Sequence, residues 1–392
     1  MGSPRDFQHR LGRGKPAHVE PADPILGYKG EVVYIYAFDF AYEMKRERIR
    51  ELLGHPVAQF SMDASKRNPR HMVFYRPQMV RLPAIERIGP RGPLQIERLV
   101  KILPVGAFSI TMRVPFQVRA IKDLAEFHDL QFTNGSIHEE VRALANDLRR
   151  ELEQHSIRPL PDLVEEEAYT VFGIQGPLRT TDGAVVSAEK WLTRHRREVA
   201  SALTQEQDPR ELSDQETRES TMRYLSYYQS DLVVVDWDAA LVIDEPKDLH
   251  EIVYIFEMAN LQLAELEAYD RILDNALERS YRDLSSKSMK ERQARIAELR
   301  EIRIDMARFS DEMGNITKFF GDWHLARIYQ DISARFHLAD WHKSVDEKLK
   351  TLDDLYQLLS QDQNNRWMLL LELSIVLLFI VDLIMLFMGL SD

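Results

Sequence analysis

The stretch WMLLLELSIVLLFIVDLIMLFMGL, Trp367–Leu390, restricts this chain more than any other segment. At 1.5 Å per residue, a helix of this length reaches roughly 36 Å and can cross a hydrocarbon core of about 30 Å with some tilt. An apolar run so long at a terminus is poorly explained as the core helix of a water-soluble protein. The remaining sequence is ordinary, with 44% hydrophobic and 29% charged residues overall and a mean hydropathy of -0.35. A polytopic membrane protein is therefore excluded, and the expectation is a large water-soluble body held by one C-terminal transmembrane helix.

Two carboxylates interrupt the apolar run. Glu372 lies near its start, within reach of head groups, whereas Asp382 lies deeper. An ionised carboxylate in mid-bilayer costs at least a few kcal/mol, so Asp382 is expected to be protonated, snorkelling or paired. A single span has no second helix of its own, so pairing implies self-association or a membrane-protein partner. An ion pathway through Asp382 is the sharper alternative, and a position nearer the far interface is the blander one. Lys343, Lys348, Lys350 and Arg366 precede the span and only Ser391 and Asp392 follow it. The positive-inside bias then keeps the body in the cytoplasm, as a tail-anchored, single-pass protein of the inner (cytoplasmic) membrane. The opening MGSPRDFQHRLGRGKPAH is basic and polar without an apolar core, which does not fit a secretory signal.

The body divides by pattern. Residues 1–25 read as a flexible basic arm, with four prolines and no hydrophobic period. Residues 26–247 read as a mixed α/β (α+β) domain. Its expected strands are Gly30–Phe38, His71–Pro77, Ala107–Val114 and Glu167–Ile174, a short piece at Ala184–Ser187 after a Thr181-Asp182-Gly183 turn, and a last region at Ser230–Asp244. Helices are expected over Tyr42–Leu53, in two runs after Lys122, and over Ala188–Leu203. Ser136-Ile-His-Glu139 matches a capping box at the start of the second run. From Asp248 the character changes. Ile252, Phe256, Ala259, Leu263, Leu266, Leu273, Leu277 and Leu284 follow heptad spacing, with Asp270 and Ser280 as lapses. A second seam follows at Leu299–Phe320 and a third at Leu338–Leu359. Helices joined by short breaks fold back most simply, so residues 248–365 are expected to form an antiparallel helical stalk, with an intermolecular coiled coil as the alternative.

Chemistry is poorly signalled. The chain has no cysteine, which removes disulfides and thiolate sites. Gly12-x-Gly14-x-x-Ala17 has neither the strand before it nor the helix after it that a dinucleotide site requires. Trp323-His324, His337 and Trp341-His342 form a polar and aromatic cluster, better read as packing or interfacial residues than as a metal site. Charge says more. Through Lys122 there are 21 Lys and Arg against 11 Asp and Glu, while the rest of the chain is strongly acidic. Lys66, Arg67, Arg70, Arg76 and Arg81, with Arg87 and Arg91 beyond, are the candidate anion-binding surface, for nucleic acid or anionic lipid head groups. The competing reading is the solvated face of a hairpin.

The order of parts, an α/β body carrying RYLSYYQSDLVVVDWD, then WDAALVIDEPKDLHEI opening a long helix, then the terminal LLLELSIVLLFIVDLIM, resembles the required-for-meiotic-nuclear-division family. That group includes the yeast Rmd and mitochondrial RMND proteins and carries a domain of unknown function. The likeness implies an oligomeric, membrane-anchored protein, linked in its mitochondrial members to the inner membrane and organelle translation, and it supplies no catalytic residue. The lack of a clear presequence fits a bacterial-like member. The layout is also similar to CorA-type magnesium channels, but those need two spans and a Gly-Met-Asn signature, and here Met313-Gly314-Asn315 has the wrong order. The expectation is thus a non-enzymatic, cofactor-free, self-associating scaffold or adaptor at the membrane surface. The rivals are an ion-conducting oligomer using Asp382 and an RNA- or ribosome-binding adaptor.

Overall fold

The computed structural model describes residues 25–59, 78–283 and 323–387, less residues 26, 46, 104–105, 161–162 and 164–165, together with 300, 303 and 304. The described strands build a nine-stranded sheet from β1 (Tyr28–Asp39), β2 (Ala58–Gln59), β3 (Gln78–Gly89), β4 (Gly92–Ile102), β5 (Ala107–Val118), β6 (Glu167–Gln175), β7 (Tyr224–Leu225), β8 (Leu232–Val235) and β9 (Ala239–Asp244). Their spatial order is β7-β8-β9-β6-β1-β5-β4-β3-β2. Every neighbouring pair is antiparallel except β6 with β9.

β1 occupies the middle because both of its faces are apolar, as expected of a strand covered on two sides. Val32, Tyr34, Tyr36 and Phe38 point to one face. There they meet α1 (Ile137–Leu152) and α2 (Ala188–Leu203) through Val141, Leu144, Leu148, Trp191 and Leu192. Val33 and Ile35 point to the other, under α4 (Pro246–Asp283), beyond a short α3 (Asp214–Glu219). Close approach also fixes the sheet's centre. A Cβ on Gly30 would lie 1.9 Å from the Gly173 carbonyl oxygen, and one on Gly173 would lie 2.6 Å from Leu249 Cδ2. These two glycines let β1 meet β6 and let the first turn of α4 settle onto the sheet.

Several expectations hold. α2 spans the predicted residues, and the Ser136 Oγ accepts the Glu139 N–H while the Glu139 carboxylate accepts the Ser136 N–H, each at 3.2 Å. The helix expected at Tyr42–Leu53 does not form. Ala41–Met44 pairs instead with Ser156–Pro159, and Glu51–Leu52 pairs with His55–Pro56 around Leu53 and Gly54, whose φ values are 48° and 72°. The Leu53 N–H donates to the Glu151 carboxylate at 2.9–3.0 Å. Charged residues give this stretch helix propensity, but burial of Met44, Ile49 and Leu52 together with tertiary pairing overrides so weak a preference. Ala184–Ser187 contributes only a bridge between Val185 and Arg179. The strand expected at His71–Pro77 and nearly all of the second heptad seam lie outside the described residues.

The helices after Asp248 are less separate from the body than their heptads imply. Ile252, Phe256, Ala259 and Leu266 are buried as the seam requires, but so are Val253, Tyr254, Ile255, Met258 and Leu261, so the first half of α4 is a layer on the sheet. α5 (Trp323–Arg335) lies over the same face. After a turn at His337, whose φ is 52°, α6 (Leu338–Phe387) begins. Leu338, Val345 and Leu352 of α6 pack in the same cluster as α4. The Ser344 hydroxyl is 3.4 Å from Asp270, and one turn later Lys348 Nζ is 2.7 Å from both Asp270 and Asp274. α6 therefore follows the second half of α4 in the same direction and continues as one helix of 50 residues.

Candidate functional site

The far part of α6 contains the one described helical stretch long and apolar enough to cross a membrane, Met368–Met385, and none of it is buried. Glu372 and Asp382 lie on this bare surface. Ten residues apart, they are separated by roughly 80° around the helix axis, so one neighbouring helix can face both. Of the basic candidates, Lys66, Arg67, Arg70 and Arg76 lie outside the described residues. Arg81 is on β3 with its side chain 75% exposed and 4.0 Å from Glu97. Arg87 is held 2.5 Å from Glu140, and Arg91 lies 3.0 Å from Glu126 and 3.5 Å from Asp123. Carboxylates thus already face these three described arginines.

The polar residues that α4 buries were not legible in sequence. Glu257 accepts from the Lys101 ammonium, from the Ser109 hydroxyl at 2.6 Å and from the Thr111 hydroxyl at 3.2 Å, and Lys101 lies 4.8 Å over the Tyr254 ring. Both charged side chains are almost wholly buried. A buried pair like this holds only in a narrow geometry, so it pins α4 to β4 and β5. Further along, burial pushes the Glu167 carboxyl up to about 9, helped by a hydrogen bond with Glu267. Burial also raises Asp39 to about 7, against the opposing pull of Arg271 and the Ala41 and Phe40 N–H groups.

A cleft of about 430 Å³ opens at the other end of α4, where the parallel pair β6 and β9 finish. Ligand sites in sheets with parallel strands favour this end. Asp244 closes β9, Glu245, Lys247, Asp248 and Glu251 surround the first turns of α4, and Tyr227, Tyr228 and His324 make the outer wall. The Asp231 carboxylate shapes that wall by accepting the N–H groups of Tyr227 at 2.7 Å and Tyr228 at 2.8 Å. The two tyrosine rings meet edge-on at 4.8 Å and Tyr227 lies 5.5 Å from His324, yet they are 60% and 68% exposed. Burial pushes the Asp244 carboxyl up to about 6, with Asp248, Asp231 and Glu245 adding to it, although the Glu245 N–H donates to Asp244 at 2.7 Å. Lys247 lies 3.1 Å from Glu245 and 4.0 Å from Asp248. Five carboxylates, one lysine and two exposed aromatic rings suit a cationic occupant.

The histidine and tryptophan cluster separates in space. His337 is in the turn before α6, stacked 5.2 Å from Trp237 and 2.9 Å from Asp340, while Trp323 is 81% exposed at the start of α5. Among the described residues no group of three or more His, Asp or Glu is arranged to hold a metal ion.

The sheet-bearing body has a counterpart among known proteins. The family described as "Uncharacterized protein MJ0711, N-terminal domain" matches residues 29–249, which is the sheet, its first helical layer and the opening of α4. The uncharacterized protein MJ0711 of Methanocaldococcus jannaschii is 27% identical over 162 residues, 41% of this chain and 50% of that protein. The chain thus spans about half the length of that curated relative. No solved structure matches.

Proposed function

The chain belongs to the family of the MJ0711 N-terminal domain, and from that premise we propose that it is a membrane-anchored, self-associating scaffold whose α/β body is held on one apolar span. One observation carries the reading. α6 runs without interruption from residues buried against α4 to a fully exposed apolar surface, so a single rigid element would join body and bilayer. An exposed apolar stretch of this length has no stable place in water. Glu372 and Asp382 on that stretch favour assembly, because a second copy offers the same carboxyls for shared-proton pairing inside the bilayer. The described helices pack in parallel, since α5 begins beside the first turns of α4 and α6 then leaves in the direction of α4, and the antiparallel return expected of a stalk would fall on the second seam, outside the described residues. Kinship with the required-for-meiotic-nuclear-division proteins, and a cytoplasmic body on the inner membrane, are further parts of the proposal.

Membranes washed with alkaline carbonate test it. The full chain should remain in the pellet and, once solubilised in detergent, show a protein mass that is a multiple of 45.8 kDa. Release into the supernatant would remove the anchor from the account, and a monomer in mild detergent would remove the self-association.

A further inference from the structure

The seam between α4 and α6 changes character at one level. Along α4, Leu266, Leu273 and Leu277 keep the four-three spacing of a helical seam, and Asp270 takes the place between Leu266 and Leu273. Along α6, Lys348 takes the matching place, three residues after Val345 and four before Leu352. Leu266, Leu273, Val345 and Leu352 are wholly buried in one cluster above and below it. The Lys348 ammonium is 2.7 Å from both Asp270 and Asp274, and the Ser344 hydroxyl is 3.4 Å from Asp270. Only 18% of the Asp270 side chain and 23% of the Lys348 side chain is exposed. A charged pair so well covered stabilises little more than leucines in the same places would, so its presence calls for another reason.

We propose that the Asp270–Lys348 level decides which helices pair: it commits α4 to the α6 of its own chain, in parallel and in one register, and turns both away from the same helix of a second copy. The turn at His337, between α5 and α6 that both pack with α4, delivers the α6 of the same chain. The rival arrangements fail at this level. Two α4 helices in register would set Asp270 against Asp270, and two α6 helices would set Lys348 against Lys348, like charges where the seam is mostly covered. Sliding α6 along α4 by one heptad is no better. It puts Asp270 beside Trp341 with Lys348 beside Leu277, or Asp270 beside Leu355 with Lys348 beside Leu263, so each charge meets hydrocarbon and no counter-ion. Specificity of this kind costs some stability, as a polar residue in an apolar seam does generally. The inference stands on α4 and α6 alone and holds whether or not the apolar stretch enters a bilayer.

The absence of cysteine permits spin labels at chosen sites. Asn275→Cys on α4 and Thr351→Cys on α6, both exposed, are labelled in the detergent-solubilised full chain, and the distance between the labels is read by pulsed electron resonance. With the native pair, one narrow distance is expected to survive dilution with excess unlabelled chain. Asp270→Leu together with Lys348→Leu should melt no lower than the native protein, yet split that distance. The new population comes either from helices offset by one heptad, about 10 Å, or from neighbouring copies, in which case it disappears on dilution. Exchanging the charges, Asp270→Lys with Lys348→Asp, should keep the single distance, because opposite charges meet again at the same level. A single unchanged distance in the doubly leucine-substituted chain overturns the proposal. A split that comes with a lower melting temperature overturns it too, because the pair then supplies stability and not choice, and so does a split in the charge-exchanged chain. A native distance that vanishes on dilution also contradicts it, by setting the α6 of a neighbouring copy against α4.

Discussion

The two ends of the α4–α6 axis present opposite surfaces. Asp248 at the cleft and Asp270 beside Ser344 are about 33 Å apart along α4, and Ser344 to Met368 adds about 36 Å along α6, so roughly 70 Å separate the carboxylate cleft from the apolar stretch. One end is a bare hydrocarbon surface with two isolated carboxyls, and the other is a concentrated negative charge framed by tyrosines. The contrast teaches that, if the apolar stretch anchors the chain, the anchor and the charged cleft sit at opposite ends of one helical axis. If the apolar stretch is in a bilayer, the cleft faces away from it.

Removing the apolar end should have the largest effect. A chain ending at Gln363 is expected to be lost completely from carbonate-washed membranes while the body keeps its fold, since Met368–Met385 buries nothing; retention of the shortened chain would transfer anchoring to the body. The next effect concerns the pin between the two ends. Lys101→Met leaves Glu257 buried without its cation and should cost about 3–5 kcal/mol in chemical unfolding, whereas Lys101→Met with Glu257→Met should recover most of that loss. A double variant as unstable as the single one would show that packing, not charge, fixes α4.

Comparable in size is the effect of pH. Glu167 and Asp39 have folded values near 9 and 7, above the ordinary carboxylate range. The stability linked to their protons is complete in acid below that range and is lost as pH rises through about 7 and then about 9. Raising pH from 5 to 9 should therefore lower the unfolding free energy of the body by several kcal/mol, and Glu167→Gln should flatten the upper part of that decline. Unchanged stability across this range would mean that the Glu167–Glu267 contact opens to water. Smallest is Asp382→Leu, expected to leave anchoring intact and to weaken assembly by about 1 kcal/mol in a detergent dilution series. Stronger assembly in that variant would mean that Asp382 opposes association.

Legibility in the sequence differs between the same two ends. The apolar end is contiguous, so hydropathy and length alone locate it, and the central strands are legible because β1, β5 and β6 are short apolar runs of the right length. The cleft draws on Pro177, Tyr227–Asp231, Asp244–Glu251 and His324, four segments that only the topology unites, and a one-dimensional pattern cannot register them. Glu257 illustrates a related difficulty. Within FEMANLQLAEL it falls between the seam positions Phe256 and Ala259 and reads as an ordinary solvent-facing charge, and its meaning depends on Lys101, 156 residues away. The helix expected at Tyr42–Leu53 failed for the reverse reason, since local propensity was clear and distant pairing with Ser156–Pro159 prevailed.

The central claim is that α6 carries the body on one side and enters a bilayer on the other. The chain's lack of cysteine allows single-site labelling of Lys350→Cys and Leu377→Cys in lipid vesicles with a membrane-impermeant maleimide. The account predicts rapid labelling at Lys350→Cys and essentially none at Leu377→Cys until detergent is added. Equal labelling at both sites in intact vesicles would contradict it.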